Sequence, residues 1–224
     1  MKVIAICSGG VDSISMASRY KGEDLTLMSF DYGQKGVKEV GVVQEFAKLM
    51  GADFKLIDIS FMKRLFGANN QLTGDTVAVE GGYTPSVVVP LRNAVFTQIA
   101  MVYAYSNEAD IVTLGSHADD QAEVNGERLY PDCSYEFFKA FELAMDFGTF
   151  KKQKKVKIQT PSTLGIHKSE LIKIGHDNLG EDIFKTWSCY KSGEKQCGQC
   201  ESCNNRKAAF AKAGIEDKTV YEIK

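Results

Sequence analysis

Short apolar runs alternate along the chain with longer stretches in which apolar residues recur every three or four positions. A short run is typical of a buried β-strand, and the longer spacing is typical of an amphipathic α-helix. Predicted strands cover Val3–Ile6, Leu25–Phe30, Phe54–Ile59, Ile111–Leu114 and Val156–Gln159. Predicted helices cover Asp12–Tyr20, Val37–Met50, Ala94–Tyr105, Glu136–Phe147, Lys168–Asn178 and Cys203–Ala213. This alternation predicts an α/β fold with a parallel sheet and helices on both faces.

Two segments interrupt the alternation. Residues 62–91 lack a clear period and contain several glycines, which is typical of a functional or mobile loop. Residues 179–203 are rich in cysteine. We therefore expect one ligand-binding domain over residues 1–178, and a C-terminal metal-binding segment over residues 179–224 that packs on the same domain.

Composition and charge limit the classes of function. The 224 residues are 44% hydrophobic and 25% charged, which is ordinary for a globular protein with a sizeable core. A net charge of −2 argues against a protein whose whole surface binds polyanions. The basic run Lys151–Lys155 is interpreted as a solvated loop in preference to a nucleic-acid contact. The lack of a signal-peptide pattern and of any apolar run near ~18 residues indicates a cytoplasmic location without a membrane span.

The first predicted strand runs directly into a glycine-rich turn, Ser8-Gly9-Gly10-Val11-Asp12-Ser13, which opens the first predicted helix. Two glycines allow a tight turn and close approach to a ligand, and the free N–H groups of a helix start attract phosphate. The turn is not a Walker P-loop, because the lysine of that motif is missing. A strand, a turn and a capped helix without a ligand are the simpler alternative. We predict a phosphate site formed by Cys7, Ser8, Gly9, Gly10, Val11, Asp12 and Ser13, with Gly115 after the fourth strand.

Four of the six cysteines lie close together, with the spacing Cys189-x7-Cys197-x2-Cys200-x2-Cys203. Four thiolates suit a tetrahedral, structural Zn²⁺ that has no open position for catalysis. An iron–sulfur cluster is the main rival, but the ferredoxin pattern continues with a further cysteine and a proline, which are missing here. Unrelated core cysteines are the third alternative. We predict one structural zinc ion per chain.

Several polar residues, most of them near predicted helix starts, are further candidates for ligand binding or catalysis. Arg92 can hold a phosphate or carboxylate in two-pronged fashion, and this role is favoured over that of an ordinary surface arginine because a cation gains nothing from the start of a helix. Asp119 can ligate Mg²⁺ or exchange a proton, with helix capping as an equal alternative. Lys168 can reach phosphates or a substrate carboxylate. Asp132 lies in the rigid turn Tyr130–Cys133, where a structural role is again an equal alternative.

The segment Ser8–Ser13 resembles the signature of the PP-loop ATP pyrophosphatases, which cleave ATP between the α- and β-phosphates and adenylate a substrate. The chain resembles the 7-cyano-7-deazaguanine synthase (QueC) family from end to end. The matching segments, in one order, are Ser8–Ser13, Phe30–Gln34, Val89–Asn93, Tyr130–Cys133, His167–Glu170, Trp187–Tyr190 and Cys197–Cys203. The resemblance implies a Rossmann-like fold of the PP-loop adenine nucleotide alpha hydrolase type, with a C-terminal zinc-binding appendage.

The same resemblance implies an ATP-dependent ligase that converts 7-carboxy-7-deazaguanine and ammonia to the nitrile 7-cyano-7-deazaguanine (preQ0) through adenylated intermediates, in queuosine or archaeosine biosynthesis. It implies Mg²⁺ bound with ATP, a homodimer, and neither a membrane nor a stable nucleic-acid partner. The implied catalytic residues are Asp12, Arg92, Asp119 and Lys168. The implied substrate-binding residues are Tyr32, Gln34, Arg92, Asn93, Tyr130 and Asp132.

The chain departs from the family pattern at two places. The family commonly continues Gly-Gln-Arg-His after the second strand, where this chain has Gly33-Gln34-Lys35-Gly36. It also favours arginine where this chain has Ser134. Both places lie near the expected acceptor site, so a related enzyme that adenylates a deazaguanine or another acceptor for attachment to tRNA or protein stays open. A nucleotide-binding module without turnover is the remaining alternative.

Overall fold

The structure is a computed structural model that describes residues 1–34, 38–65, 73, 89–121, 123–124, 127–128, 130–191 and 193–223. Most of the irregular segment predicted at residues 62–91 lies outside the described residues. The same is true of Lys35 and Gly36, where the chain departs from the family pattern. The following description covers the remainder.

The strands in chain order are β1 (Lys2–Ile6), β2 (Asp24–Asp31), β3 (Asp53–Asp58), β4 (Ile111–Thr113), β5 (Glu123–Val124), β6 (Glu127–Arg128) and β7 (Lys157–Gln159). Five of them form one parallel sheet in the order β3-β2-β1-β4-β7. The chain moves outward from β1 to β3 and then crosses to the other side of β1. The carboxyl ends of β1 and β4 therefore flank a topological switch point, where open α/β sheets bind ligands.

The helices are α1 (Val11–Ser18), α2 (Lys38–Met50), α3 (Arg92–Ser106), α4 (Tyr135–Gly148), α5 (Lys168–Leu179) and α6 (Glu201–Ala213). Successive side chains of a strand point to opposite faces, so Val3 and Ala5 pack with α1, α2 and α5. Ile4 and Ile6 point to the other face and pack with α3 and α4. The predicted α/β architecture, with helices on both faces of a parallel sheet, is confirmed.

Several element boundaries differ from the prediction. Helix α3 begins at Arg92, two residues before the predicted start, and α6 begins at Glu201 instead of Cys203. The short antiparallel pair β5–β6 was not predicted, because strands of two residues leave no readable alternation. Ser134, which departs from the family pattern, caps the start of α4: its hydroxyl accepts a hydrogen bond of 3.1 Å from the Phe137 N–H.

The C-terminal segment packs directly on the sheet domain. Phe210 of α6 is fully buried in a cluster with Val11 of α1 and Ile172 of α5. This contact attaches the last helix to the helix that follows the glycine-rich turn. The division into residues 1–178 and 179–224 stays a prediction. Within the described ranges, no helix combines the length and the apolar character needed to cross a membrane.

Candidate active site and metal centre

A cavity of about 580 Å³ opens at the carboxyl ends of β1, β2 and β4. Its walls come from the glycine-rich turn, the starts of α2, α3 and α5, and the segment that leads into α6. The predicted site residues in these walls are Cys7, Ser8, Gly10, Asp12, Ser13, Tyr32, Gln34, Arg92, Asn93, Gly115, Asp119, Tyr130, Asp132 and Lys168. The structure thus brings together nearly every residue that the sequence selected as a ligand-binding candidate.

The glycine-rich turn holds its own shape through hydrogen bonds between its ends. The Ser8 N–H donates to Ser13 Oγ at 3.2 Å, and the Ser13 hydroxyl donates to the Gly10 carbonyl oxygen at 3.1 Å. Gly115, shortly after β4, has no room for a side chain, since a Cβ there would lie 2.6 Å from the Ser13 nitrogen. The end of β4 therefore packs backbone to backbone on the start of α1, and this contact keeps the turn rigid.

Two predicted phosphate-binding residues, Gly9 and Val11, lie behind the cavity wall. The Gly9 carbonyl oxygen accepts a hydrogen bond of 2.8 Å from the Trp187 N–H. The Val11 side chain is buried in the core, while its N–H donates to Ser188 Oγ at 3.4 Å. Cys7 lies in the wall, and burial raises the pKa of its thiol well above the usual range. These residues connect the turn to its surroundings, and Cys7 contributes a neutral wall.

An ion pair lies at the start of α1. Lys168 Nζ is 2.9 Å from Asp12 Oδ2, and His117 Nε2 is 4.0 Å from Asp12 Oδ1. Burial on its own would raise the pKa of Asp12, but Lys168 and then His117 outweigh it and hold that pKa below its ordinary value. Both charges are therefore present at neutral pH. Among the described residues, Asp12 Oδ1 has no hydrogen-bond partner although it is buried.

Asp119 fits the capping alternative that the sequence left open. Its carboxylate accepts a hydrogen bond of 2.6 Å from the Lys168 N–H and lies 3.1 Å from His167 Nδ1, so it caps the first turn of α5. Asp120 accepts a hydrogen bond of 2.9 Å from the His117 N–H. The predicted catalytic role of Asp119 stays a prediction.

Arg92 occupies another part of the cavity wall. One of its guanidinium nitrogens donates to the Tyr32 hydroxyl at 3.2 Å. Asn93 is hydrogen-bonded to the turn Tyr130–Cys133, because its N–H donates to Asp132 Oδ2 at 3.1 Å. The Gln34 amide is used within its own turn, where it donates to the Phe30 carbonyl oxygen and accepts from the Tyr32 N–H. The guanidinium of Arg92 faces the cavity and can receive an anion.

Several charged residues of the cavity wall were not selected from the sequence, among them Glu39, Glu201 and Lys212. Glu39 lies in the first turn of α2 and lines the cavity. Burial raises the pKa of its carboxyl to about 8, against a smaller opposing effect of Arg92. A glutamate near the start of a helix is ordinary in sequence, so only the fold shows that this one faces a cavity.

The four clustered cysteines are buried, and their sulfur atoms all lie within 4.8 Å of one another. The Sγ atoms of Cys197 and Cys203 are 3.9 Å apart, close to the ~3.8 Å that four ~2.3 Å zinc–sulfur bonds produce in a tetrahedron. The N–H groups of Lys191 and Cys197 each point at Cys189 Sγ at 3.3 Å, as suits a thiolate. This donor set can hold a metal ion such as zinc.

A buried arginine joins the metal-binding segment to the cavity. Arg206 of α6 is fully buried, and its guanidinium donates to Thr186 Oγ1 at 2.7 Å, to Ser188 Oγ at 3.2 Å and to Thr219 Oγ1 at 2.8 Å. Ser188 in turn accepts the N–H of Val11 from the glycine-rich turn. The cysteine segment therefore supports the back of the turn through a continuous set of hydrogen bonds.

Comparison with known proteins agrees with the motifs and the fold. The model of the family described as queuosine biosynthesis protein QueC matches residues 2–214. A 7-cyano-7-deazaguanine synthase of Marinomonas sp. (strain MWYL1) is 37% identical over 99% of this chain and 98% of that protein. A protein of the same name from Caldicellulosiruptor saccharolyticus is also 37% identical, over 100% of this chain and 96% of that protein.

Solved structures give a more distant likeness. NMN synthetase from Francisella tularensis matches with a TM-score of 0.50 at 15% identity, over 96% of this chain and 78% of that one. At this identity the match supports the fold alone. The family model and the full-length relatives go further, and they show that the chain belongs to the QueC family.

Proposed function

We propose that this protein is a 7-cyano-7-deazaguanine synthase, which uses ATP to convert 7-carboxy-7-deazaguanine and ammonia into 7-cyano-7-deazaguanine. The observation that carries the proposal is the full-length similarity, at 37% identity, to proteins of that name. The cavity supports it, because a turn suited to phosphate and an arginine that can receive a carboxylate line the same cavity.

ATP binds with its phosphates at the glycine-rich turn. The cavity-lining residues of the turn, Ser8, Gly10 and Ser13, face the anion, and Lys168 neutralises its charge. Mg²⁺ accompanies the nucleotide, and Asp12 fits it because its Oδ1 accepts no hydrogen bond from any described residue. Bound Mg²⁺ would add positive charge beside the leaving pyrophosphate.

The chemistry has four steps. A carboxylate oxygen attacks the α-phosphorus of ATP, and pyrophosphate leaves to give an acyl adenylate. Ammonia then displaces AMP and forms the amide. The amide oxygen attacks a second ATP, and loss of AMP and a proton leaves the carbon–nitrogen triple bond. One nitrile therefore consumes two ATP and one ammonia, and it releases two AMP and two pyrophosphates. These steps need positioned charges more than a protein nucleophile.

Arg92 holds the substrate carboxylate and orients it toward the α-phosphate. Burial acts against its charge, but Tyr32 and then Asp132 raise the pKa of the guanidinium above its ordinary value, so it stays a cation. Tyr130, Asn93 and the Tyr32–Gln34 turn form the remaining wall of the acceptor site. The four cysteines hold one structural zinc ion, and the enzyme acts as a cytoplasmic homodimer without a stable nucleic-acid partner.

The test is incubation with 7-carboxy-7-deazaguanine, ammonium, Mg²⁺ and ATP, with the product identified by mass spectrometry. We expect the nitrile together with two AMP per nitrile. Lys168→Met should lower kcat/KM by roughly 10²-fold or more, because a charge that neutralises phosphate is lost. Lys173→Met is the matched control, since Lys173 is exposed on the same helix. Zinc-loaded protein that forms neither nitrile nor AMP would refute the proposal, and AMP without nitrile would favour another acceptor.

A further inference from the structure

We infer that Glu39 recognises the 2-amino-pyrimidinone edge of the acceptor base, by accepting hydrogen bonds from two adjacent N–H donors of that edge. The inference rests on the proposed function, and it assigns a specificity-determining residue that neither the family resemblance nor the motifs select. A guanine-like base carries a ring N–H beside an exocyclic amino group, and a carboxylate with two oxygens is the side chain that matches this donor pair.

The position of Glu39 is fixed by the backbone beneath it. A Cβ atom on Gly9 would lie 2.7 Å from the carbonyl oxygen of Glu39, so the start of α2 packs directly on the phosphate-binding turn. Lys38, the preceding residue, places its ammonium 4.8 Å from the centre of the Trp187 ring. The first turn of α2 is therefore held between the turn and the metal-binding segment, with the Glu39 side chain in the cavity wall.

Glu39 differs from the other carboxylates of the cavity wall in accepting no hydrogen bond from any described residue. Each of the other five accepts at least one hydrogen bond from the protein; they are Asp12, Asp119, Asp120, Asp132 and Glu201. No described residue donates a hydrogen bond to Glu39. A half-buried carboxylate without a donor costs free energy, which is the cause of its raised pKa of about 8. A bound ligand that donates two hydrogen bonds removes this cost.

The surroundings of Glu39 match the rest of the acceptor base. Tyr32 and Arg92 line the same cavity as Glu39. Phe96 lines the same cavity and stacks on Phe30 with ring centres 4.3 Å apart, so the wall offers flat apolar surface to a planar bicyclic ring. The arginine suits the carboxylate of the base, and the glutamate suits its opposite, hydrogen-donating edge.

The competing explanation is that Glu39 acts as a counter-ion that orients Arg92. That role would affect every acceptor equally, because Arg92 contacts the carboxylate that all acceptors share. Recognition of the amino group predicts something different: the loss should fall on the acceptor that carries the amino group. A comparison of two acceptors that differ only at this group therefore separates the two explanations.

The experiment measures binding and kcat/KM for 7-carboxy-7-deazaguanine and for its analogue without the 2-amino group, in wild type and in Glu39→Gln. We expect wild type to prefer the amino base, and Glu39→Gln to lose about 10- to 100-fold of that preference, the range of one or two charge-assisted hydrogen bonds. The ATP affinity should stay within about twofold. The preference is a ratio within one protein sample, so partial misfolding of the variant cancels.

Glu45→Gln is the matched control, because Glu45 is exposed on the same helix; it should keep the wild-type preference. An unchanged preference in Glu39→Gln would overturn the inference, and so would a wild-type protein that does not distinguish the two bases. The proposed function fails separately, if wild type forms no nitrile. Titration of either base into the protein needs no turnover, so binding still decides the role of Glu39 in that case.

Discussion

Replacing Arg206 with methionine tests how the metal-binding segment is attached to the sheet domain. The arginine is fully buried, and its guanidinium makes six hydrogen bonds, to Thr186, Ser188, Thr219 and Ile183. It also lies 3.8 Å from Asp217 Oδ2, whose side chain is 10% exposed. Methionine has a similar length and no charge, so Arg206→Met removes these bonds without leaving a large cavity.

The expected loss of stability is about 3–5 kcal/mol, because removing one member of a buried ion pair leaves the other charge unpaired. In a chain of this size such a loss lowers Tm by roughly 10 °C. Asp217 keeps two hydrogen bonds, from the Tyr221 hydroxyl at 2.6 Å and the Thr219 N–H at 3.1 Å. The Asp217 charge nonetheless loses its cation in Arg206→Met. Neutralising that charge in the double variant Arg206→Met with Asp217→Asn should recover at least about 1 kcal/mol of stability.

Urea unfolding followed by circular dichroism, on zinc-loaded protein, measures both variants. Arg19→Met is the control, since Arg19 is exposed on the surface and its loss should change stability by no more than about 0.5 kcal/mol. A loss below about 1 kcal/mol in Arg206→Met would refute the reasoning. A double variant less stable than the single one would refute the role given to the unpaired Asp217 charge.

Three further predictions follow from particular residues. Leu91→Gly should raise the free energy of unfolding by about 0.5–1 kcal/mol, because Leu91 has φ = +54° and its side chain is largely exposed; a lower urea midpoint would contradict this. Gly198→Ala should reduce the zinc content below one ion per chain by elemental analysis, because Gly198 has φ = +77° and a Cβ there would overlap the Ile223 carbonyl oxygen; full zinc content would contradict it. Wild-type stability should fall by up to about 1.4 kcal/mol per pH unit between pH 5 and 8, because the folded-state pKa of Glu39 is about 8 and its ordinary value is 4.5. Unfolded chains then ionise this group, while folded chains without a bound acceptor keep it protonated, so Glu39→Gln should lack this component; identical pH profiles of ligand-free wild type and variant would refute it.

The parts of the site that the sequence predicted are local in the chain. The turn Ser8–Ser13 carries its glycines, hydroxyls and helix start within six residues, so a phosphate-binding role could be predicted for it without knowledge of the fold. The same holds for Cys189–Cys203, where spacing alone indicates a metal site. The alternation of strands and helices predicted the α/β architecture, because strands buried on both faces are short apolar runs whereas helices buried on one face show apolar residues every three or four positions.

The parts that the sequence did not predict depend on contacts between distant segments. Glu39 and Ser188 belong to separate elements, and only packing against Gly9 and Val11 brings them to the turn. Asp119 offered two roles in sequence, and its bond to the Lys168 N–H, 49 residues away, shows that it caps α5. Residue type suggests what a side chain can do, but tertiary contacts decide which partner it finds.

The hydrogen bonds between Trp187, Ser188 and the glycine-rich turn also have a consequence for biosynthesis of the protein. The turn is synthesised within the first 13 residues, yet the groups that support it follow about 175 residues later. At ~5–20 residues per second, this interval lasts about 10–35 s on the ribosome. A nascent chain therefore carries the glycine-rich turn without its supporting hydrogen bonds throughout elongation, and the turn gains this support only after the segment around Trp187 and Ser188 has emerged.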